Sequence, residues 1–380
     1  MRIDGAPEVA EFFAGIGLVR LALEDAGFAV TWSNDYDANK HKVYSGHFGP
    51  AGEFVLGDIG QIRGADLPSG LALAWASFPC TDLSLAGDRC GLDRGESKAF
   101  WEFIRIIGEL GERAPSVLAL ENVAGLATSR GGDDLRSAVR ALNDLGYSVD
   151  VLTLDARQWV PQSRVRLFMV AARNAPGERD DRVSSLRPAW LQFVHQDSSL
   201  RTHAAVLTSP PLPVRGGFSA LAERMADDDP RWWDVDRTAR ALESLSSVQA
   251  ARLALLRQRR TPAYRTGYRR TRSGAAVWEF REDDIAGCLR TPRGGSSKQA
   301  VLCAGGGTVR VRWMTPLEYA RLMGAGSYQL GHATDAQLIY GFGDAVCVPV
   351  VRWLAVNYLR LLVNGELDAV PSLRGGAVLG

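Results

Sequence analysis

The 380-residue sequence predicts an α/β fold with an open sheet, and three observations support this prediction. Short apolar runs alternate with segments of helical periodicity from Val9 to Ala172. Polar residues follow the ends of these runs, which is where ligands bind in open α/β sheets. The alternation stops at Asn174 and is missing as far as about Asp284, so this stretch is predicted to be organised differently.

The composition is typical of a globular protein from a reducing compartment. Hydrophobic residues make up 46% of the chain and charged residues 23%. The five cysteines include no CxxC pair, which argues against a disulfide framework or a zinc cluster. No signal peptide and no membrane-spanning run is recognised, so we expect a cytoplasmic protein that does not contact a membrane. The net charge is +1, so any signal for nucleic-acid binding must be local.

The first predicted strand, Val9 to Phe13, is followed by a tight glycine turn and a helix from Leu18 to Ala26. This arrangement points the N-terminus of a helix at an anion, as nucleotide-binding turns do. Arg20 stands where the third glycine of the dinucleotide fingerprint belongs, which disfavours NAD. A nucleoside cofactor that carries a carboxylate, such as S-adenosylmethionine, fits the turn, and so does a plain strand-to-helix connection.

Two further predicted strands end in acidic residues. The second strand, Ala29 to Ser33, leads to Asp35 and Tyr36, and the third leads to Asp58 and Ile59. Asp35 can accept hydrogen bonds from ribose hydroxyls, whereas its alternative role is to cap the next helix. Tyr36 can stack on a purine. Asp58 can accept from an adenine amino group while Ile59 lies against the ring.

Cys80 is predicted to lie in a loop directly after a buried strand. The apolar run Leu71 to Ala76 forms this strand, and Pro79 ends it because proline cannot donate to the sheet. A thiol at such a strand end is a candidate nucleophile. A single cysteine is more often a small buried hydrophobe, so this residue alone leaves both interpretations open.

A carboxyl group and two arginines are associated with later strands. Glu121 follows the apolar run Ser116 to Leu120, where burial would raise its pKa and suit a proton donor; a structural hydrogen bond is the alternative. Arg164 and Arg166 precede the apolar run Leu167 to Ala172 and share one face because a single residue separates them. They either hold an anionic or carbonyl-rich ligand or form an exposed edge.

The middle segment contains the local positive charge that the net charge conceals. Arg237 to Arg260 is predicted to be one helix. Seven arginines lie between Arg257 and Arg272, with interleaved tyrosines and no acidic residue before Glu279. Arginines and aromatic residues in a loop-rich segment are typical of contacts with phosphates and base edges. A solvated surface strip is the alternative.

The C-terminal part begins with a capped helix. Thr315 is predicted as the N-cap with Pro316 at the first helical position, and Glu318 completes a capping box. The segment Gly341 to Val346 then leads into a last apolar helix over Val348 to Val363.

Eight short motifs in a fixed order make the sequence resemble the DNA cytosine-5 methyltransferases. In chain order these motifs are Phe13-Ala14-Gly15-Ile16-Gly17, Asn34-Asp35, Gly57-Asp58-Ile59, Phe78-Pro79-Cys80, Glu121-Asn122-Val123, Gln162-Ser163-Arg164-Val165-Arg166, Arg290-Thr291-Pro292 and Gly343-Asp344-Ala345-Val346. The resemblance covers about Val9 to Ala172 and Cys288 to Val363, and the middle does not match by motif. It favours the functional interpretations of Cys80 and Glu121.

The resemblance implies a Rossmann-like, S-adenosyl-L-methionine-dependent methyltransferase domain over residues 1–173, completed by residues 335–380. Residues 174–334 would form an inserted, smaller target-recognition domain, with double-stranded DNA in the cleft between them. We expect a prokaryotic enzyme, because no regulatory extension is present, with possible restriction or phage-defence proteins as partners. A tRNA cytosine-5 methyltransferase is one alternative, which the size of the arginine-rich middle segment disfavours. A catalytically silent DNA-binding partner is the other.

The resemblance also implies residue roles. Cys80 would add to C6 of a flipped-out cytosine, so that C5 can attack the methyl group of the cofactor. Glu121 would protonate or hydrogen-bond N3, Arg164 would contact O2, and Arg166 would support the thiolate and phosphate side. The implied cofactor-binding residues are Phe13, Ala14, Gly15, Gly17, Asp35, Tyr36, Asp58, Ile59, Pro79 and Asp344. The predicted DNA-binding residues are Ser84, Gln162 and Arg290, together with Arg269 and Arg270 of the arginine-rich middle segment.

Three positions depart from the family pattern. Thr81 stands where glutamine is usual after the cysteine, Tyr36 replaces a common tryptophan, and Asp344 stands where asparagine is usual. A carboxylate at position 344 would pair with the ammonium of the cofactor's methionyl group but repel its carboxylate. We expect these changes to affect cofactor affinity and loop behaviour more than the chemistry.

Overall fold

The computed structural model describes residues 5–50, 52–79, 98–272, 274–292, 298–331 and 333–367. Cys80, Thr81 and Ser84 lie outside the described residues, so their roles remain predictions. The described part of the chain contains a seven-stranded sheet and a four-stranded sheet. The larger sheet and its flanking helices position the site.

The seven-stranded sheet is predominantly parallel. Its strands are β1 (Glu8–Phe12), β2 (Ala29–Asp35), β3 (Phe54–Leu56), β4 (Leu73–Ala76), β5 (Val117–Val123), β6 (Ser148–Asp155) and β7 (Val165–Ala172). Their spatial order is β3-β2-β1-β4-β5-β7-β6, and β7 runs antiparallel to both of its neighbours. The first four helices are α1 (Leu18–Asp25), α2 (Ala38–Phe48), α3 (Ala99–Leu110) and α4 (Asp133–Asp144). The predicted α/β fold is confirmed.

Both faces of this sheet are buried, which explains why its strands are nearly continuous apolar runs. Successive residues of a strand point to opposite faces, so Val9 packs into one apolar cluster and Ala10 into the other. The first cluster includes α1 and the C-terminal helices, and the second includes α3 and α4. Phe103 of α3 is fully buried in the second cluster, and such a side chain stabilises the fold by about 1.5–3 kcal/mol.

The prediction of one helix over Arg237 to Arg260 is wrong. After the short α5 (Gln192–His195), the structure has two helices, α6 (Val235–Glu243) and α7 (Ser247–Arg257). Each has its own N-cap, because Asp234 accepts a hydrogen bond from the backbone of α6 and Ser246 from that of α7. Two capping residues therefore divide a stretch whose apolar positions suggested continuity.

The arginine-rich stretch is also more regular than the predicted loop. It forms β8 (Ala263–Arg272), which pairs antiparallel with β9 (Ala275–Phe280) and β10 (Gln299–Gly305). With β11 (Thr308–Trp313) these strands form the four-stranded sheet in the order β11-β10-β8-β9. This sheet lies within the segment 174–334.

The C-terminal helices are α8 (Pro316–Leu322), α9 (Asp335–Asp344), α10 (Val348–Leu354) and α11 (Arg360–Asn364), with a π-helical turn between the last two. The predicted capping box of Thr315 and Glu318 is present. By length and mean hydropathy (1.6), Asp335–Asn364 qualifies as a membrane span, which the sequence analysis did not anticipate. Half of the most apolar 18-residue stretch of this segment is buried inside the protein. The backbone of Ala345 is extended and separates α9 from α10. These features are typical of core helices.

Candidate active site

The predicted site residues gather at the carboxyl edge of the seven-stranded sheet. Strands β1, β2, β4 and β5 are parallel neighbours, so their C-terminal ends share this edge. Asn122 at the end of β5 donates a side-chain hydrogen bond to the carbonyl of Phe78 at 3.1 Å. This bond fixes the backbone that precedes Pro79 and Cys80 against β5. The residues brought to the edge are Phe13, Asp35, Pro79 and Glu121.

In the turn after β1, the backbone of Phe13 adopts the left-handed conformation, which is uncommon for residues other than glycine. Phe13 has a φ of 60°, and Gly15 and Gly17 have positive φ values of 58° and 80°. A Cβ atom on Gly17 would lie 2.4 Å from the ring of Phe48, so glycine is needed there for close packing. Strain at a non-glycine residue is a feature of ligand-binding turns. The turn is therefore a candidate cofactor cradle.

Asp35 fixes this turn from the end of β2. Its Oδ2 accepts a hydrogen bond from the backbone of Gly15, and its Oδ1 accepts one from that of Asp37, both at 2.9 Å. Burial raises the pKa of the Asp35 carboxyl, and the ammonium of Lys40 opposes this shift. Asp37, and not Asp35, caps α2, because it accepts from the backbone of Asn39 at 2.8 Å. The capping alternative for Asp35 is therefore wrong.

The other predicted cofactor-binding residues differ in exposure. Tyr36 is 59% exposed and Asp58 is exposed, whereas Ile59 and Ala14 are buried. Asp58 Oδ1 accepts a hydrogen bond from the backbone of Gly60 at 2.8 Å, which orients its carboxylate. These exposures suit ligand contact by Tyr36 and Asp58, and packing by Ile59 and Ala14.

Glu121 is buried near the end of β5, in contact with Arg166. The Nε atom of Arg166 is 3.0 Å from Oε1 of Glu121. Burial raises the pKa of Glu121, although the charges of Arg166 and Arg164 act in the opposite direction. A raised pKa keeps more of the carboxyl protonated near neutral pH, which suits a proton donor.

Arg164 is buried and links separate parts of the chain through hydrogen bonds. Its Nη1 donates to the carbonyl of Leu289 at 2.8 Å, and its Nη2 donates to the carbonyl of Ala345. The guanidinium thereby joins the β7 side of the site to the end of α9. Its contact with a base stays a prediction.

Sequence reasoning missed Cys288, which lies beside both arginines. Its Sγ atom is 3.4 Å from Nη1 of Arg164 and 3.8 Å from Nη2 of Arg166. Although burial opposes the shift, the two arginines lower the pKa of this thiol. Its position two residues before the Arg290 motif was the only available signal in the sequence.

Gln162 has no exposed surface, although it was predicted to contact DNA. Its Nε2 donates to the carbonyl of Leu322 at 2.8 Å, and its Oε1 accepts from the backbone of Leu289 at 3.0 Å. Both ends of the amide are therefore used inside the protein. We assign Gln162 a bridging role between α8 and the Leu289 segment in place of the predicted contact.

Two glycines let α9 approach the site closely. A Cβ atom on Gly341 would lie 2.5 Å from Cγ2 of Ile16, in the turn after β1. A Cβ atom on Gly343 would lie 2.5 Å from the carbonyl carbon of Arg290. Asp344, the last residue of α9, is consequently held at the same edge of the sheet as the cradle.

The family of the chain is established by sequence comparison. Residues 8–360 match the family described as C-5 cytosine-specific DNA methylase. The type II methyltransferase M.HhaI of Haemophilus parahaemolyticus is 34% identical over 165 residues, which cover 43% of this chain and 48% of that protein. M.NgoBI of Neisseria gonorrhoeae, also a type II methyltransferase, is 32% identical over 230 residues, which cover 56% of this chain and 70% of that protein. The chain thus spans about half the length of M.HhaI and more of M.NgoBI.

Solved structures confirm the fold over almost the whole chain. Dnmt2 methyltransferase of S. pombe superimposes with a TM-score of 0.57 at 18% identity, covering 94% of this chain and 99% of that one. The Entamoeba histolytica methyltransferase EhMeth gives a TM-score of 0.59 at 14% identity, with 96% and 99% covered. At these identities the likeness concerns the Rossmann-like methyltransferase fold alone. With residues 8–360 matched, the chain belongs to the C-5 cytosine-specific DNA methylase family.

Proposed function

We propose that this chain is a DNA cytosine-5 methyltransferase, which transfers a methyl group from S-adenosyl-L-methionine to C5 of a cytosine in a short specific duplex sequence. The observation that carries this proposal is the cluster of Glu121, Arg164 and Arg166 at the carboxyl edge of the sheet. The cluster lies next to the segment that leads to Cys80, in a member of this family.

The cradle after β1 fits S-adenosyl-L-methionine, which would supply the methyl group when bound. Asp35 already accepts two backbone hydrogen bonds, but a carboxylate has about four acceptor sites, so it can still accept from a ribose hydroxyl. The exposed ring of Tyr36 offers a surface for the adenine, and the oriented carboxylate of Asp58 offers an acceptor for its amino group. The left-handed turn around Gly15 lets the backbone approach the cofactor.

The chemistry follows from the charges of the site. The Cys80 thiolate would add to C6 of a flipped-out cytosine and make C5 nucleophilic. C5 would then take the methyl group that S-adenosyl-L-methionine supplies when bound, with S-adenosyl-L-homocysteine as the leaving group. Glu121 would donate a proton or hydrogen bond at N3 as negative charge develops on the ring. Arg166, in contact with Glu121, holds that carboxyl in place and adds positive charge beside the base. A base such as water would then remove the C5 proton, Cys80 would leave as the thiolate, and N3 would return any proton it received to Glu121.

We propose that residues 174–334 form the target-recognition domain. The hydroxyl of Tyr268 in β8 donates to the carbonyl of Cys288, which joins the four-stranded sheet to the catalytic cluster. Arg269 is exposed directly after this tyrosine, and the guanidinium of Arg270 lies 4.9 Å from the Tyr268 ring centroid. Arg290 is exposed beside the end of α9. DNA in the cleft would therefore meet arginines close to the site of chemistry.

Replacing both Arg269 and Arg270 with alanine is expected to weaken DNA binding and its dependence on salt. Each lost phosphate contact lowers the slope of log K against log salt by about 0.9, so the double variant should lose about two units of slope. The measurement is a titration of labelled duplex DNA at several salt concentrations.

A matched control removes two arginines of the C-terminal helices that contact the chain at the end of α1. Arg352 pairs with Asp25 at the C-terminal end of α1, and Arg360 donates to the carbonyl of Ala26. The variant Arg352→Ala/Arg360→Ala should keep the parental slope. An unchanged slope for the Arg269→Ala/Arg270→Ala protein would remove these residues from the proposed interface.

The substrate is tested by competition for methyl incorporation. Purified protein with labelled cofactor is offered duplex DNA and tRNA together, and label in DNA supports the proposal. Label in tRNA would establish the alternative substrate, and label in neither would favour a silent DNA-binding partner.

We also propose a cytoplasmic role in restriction-modification or phage defence, which the type II methyltransferases among the relatives of this chain support.

A further inference from the structure

Lys40 connects the cradle to the end of α9. Its ammonium contacts the Oδ2 atom of Asp344, a residue 304 positions away in the sequence. A Cβ atom on Gly15 would lie 3.9 Å from Cδ of Lys40, so the lysine side chain passes beside the turn after β1. This ion pair therefore lies at the proposed cofactor pocket.

The two partners of the pair differ in exposure. The side chain of Lys40 is 13% exposed, whereas that of Asp344 is 49% exposed. The ammonium also lies 5.9 Å from the ring centroid of Tyr340. Although burial opposes the shift, the carboxylates of Asp344 and Asp35 raise the pKa of Lys40, which keeps it charged.

A neighbouring ammonium and carboxylate complement the methionyl end of S-adenosyl-L-methionine, which carries one group of each sign. Asp344 alone would attract the ammonium of the cofactor and repel its carboxylate. Lys40 removes this conflict. Its ammonium has three N–H donors and contacts Asp344 through Oδ2, so it can also donate to the carboxylate of the cofactor. The pair can therefore receive both charged groups of the cofactor.

We propose that Lys40 is a cofactor-binding residue that recognises the carboxylate of the methionyl group, while Asp344 receives the ammonium. This inference rests on the proposed use of S-adenosyl-L-methionine. It assigns a function to a lysine that none of the eight motifs contains, and it explains how aspartate is accommodated at position 344.

The test compares S-adenosyl-L-methionine with decarboxylated S-adenosylmethionine by titration calorimetry on the full chain without DNA. The parental protein should bind the first about 10- to 100-fold more tightly, because a hydrogen bond between charged groups is lost in the second. Lys40→Met should reduce this preference to about threefold or less while retaining binding of the decarboxylated compound. Lys42→Met, which removes an exposed lysine from the same helix, should keep the full preference.

A double variant separates recognition from charge neutralisation. If Lys40 merely offsets the charge of Asp344, Lys40→Met/Asp344→Asn will regain the parental preference, and the inference is wrong. A preference that stays low in the double variant supports direct recognition. Equal affinity of the parent for both compounds would overturn the role of Lys40 alone, whereas no binding of either compound would instead contradict the proposed cofactor.

Discussion

Replacement of Glu121 by glutamine is expected to slow methyl transfer to DNA by about 10²- to 10⁴-fold. Glutamine preserves the shape of the side chain and one hydrogen bond, but it cannot deliver a proton to N3. The parental carboxyl is suited to this task because burial raises its pKa despite the contact with Arg166. Single-turnover methyl transfer at saturating DNA and cofactor measures the chemical step directly.

The control for this experiment is Glu112→Gln, which changes an exposed glutamate after α3. It should leave the rate at the parental value. Binding of S-adenosyl-L-methionine to the Glu121→Gln protein, measured by calorimetry, should also be unchanged, because Glu121 is assigned to the base and not to the cofactor. A parental rate for Glu121→Gln would exclude proton donation by this residue.

Glu11→Gln is expected to remove a loss of stability that accompanies rising pH. Glu11 is fully buried in β1, and burial raises its pKa from 4.5 to about 8, although the guanidinium of Arg20 opposes the shift. Between these values the folded protein keeps a proton that the unfolded chain releases. The free energy of unfolding therefore falls as pH rises from about 4.5 to about 8. At about 1.4 kcal/mol per pKa unit, the total loss is on the order of 5 kcal/mol.

Urea unfolding at a series of pH values from about 5 to about 8 measures this effect. The free energy of unfolding of Glu11→Gln should depend much less on pH than that of the parent. The exposed substitution Glu112→Gln should reproduce the parental dependence. A parental pH dependence in the Glu11→Gln protein would show that this carboxyl is ionised in both states.

The strands and their polar ends could be predicted because the signals are local. A strand covered on both faces must be apolar there, so Leu73–Ala76 and the Leu167 to Ala172 part of β7 are visible in the sequence as apolar runs. The residues at their ends then meet at one edge, since parallel strands share a direction. This geometry brought Asp35 and Glu121 to the same side of the protein.

Contacts between distant segments could not be predicted. Gln162 is buried, and its side-chain amide donates a hydrogen bond to the carbonyl of Leu322, 160 residues later. No local pattern in the sequence records this contact. The pairing of Lys40 with Asp344 spans 304 residues and depends on how closely α9 approaches the turn. The arginine-rich stretch forms β8 because β9 and β10 pair with it, so its partners determine its conformation.

The most direct test of the proposed function is cytosine-methylation sequencing of genomic DNA from a methylation-deficient bacterium that expresses this chain, beside a Cys80→Ser control. We expect 5-methylcytosine at one short sequence motif in cells with the parental chain and none in the control. Methylation at that motif in the control would contradict the role of Cys80 as the nucleophile. A genome without methylation in cells that contain soluble parental protein would contradict the assignment as a DNA cytosine-5 methyltransferase.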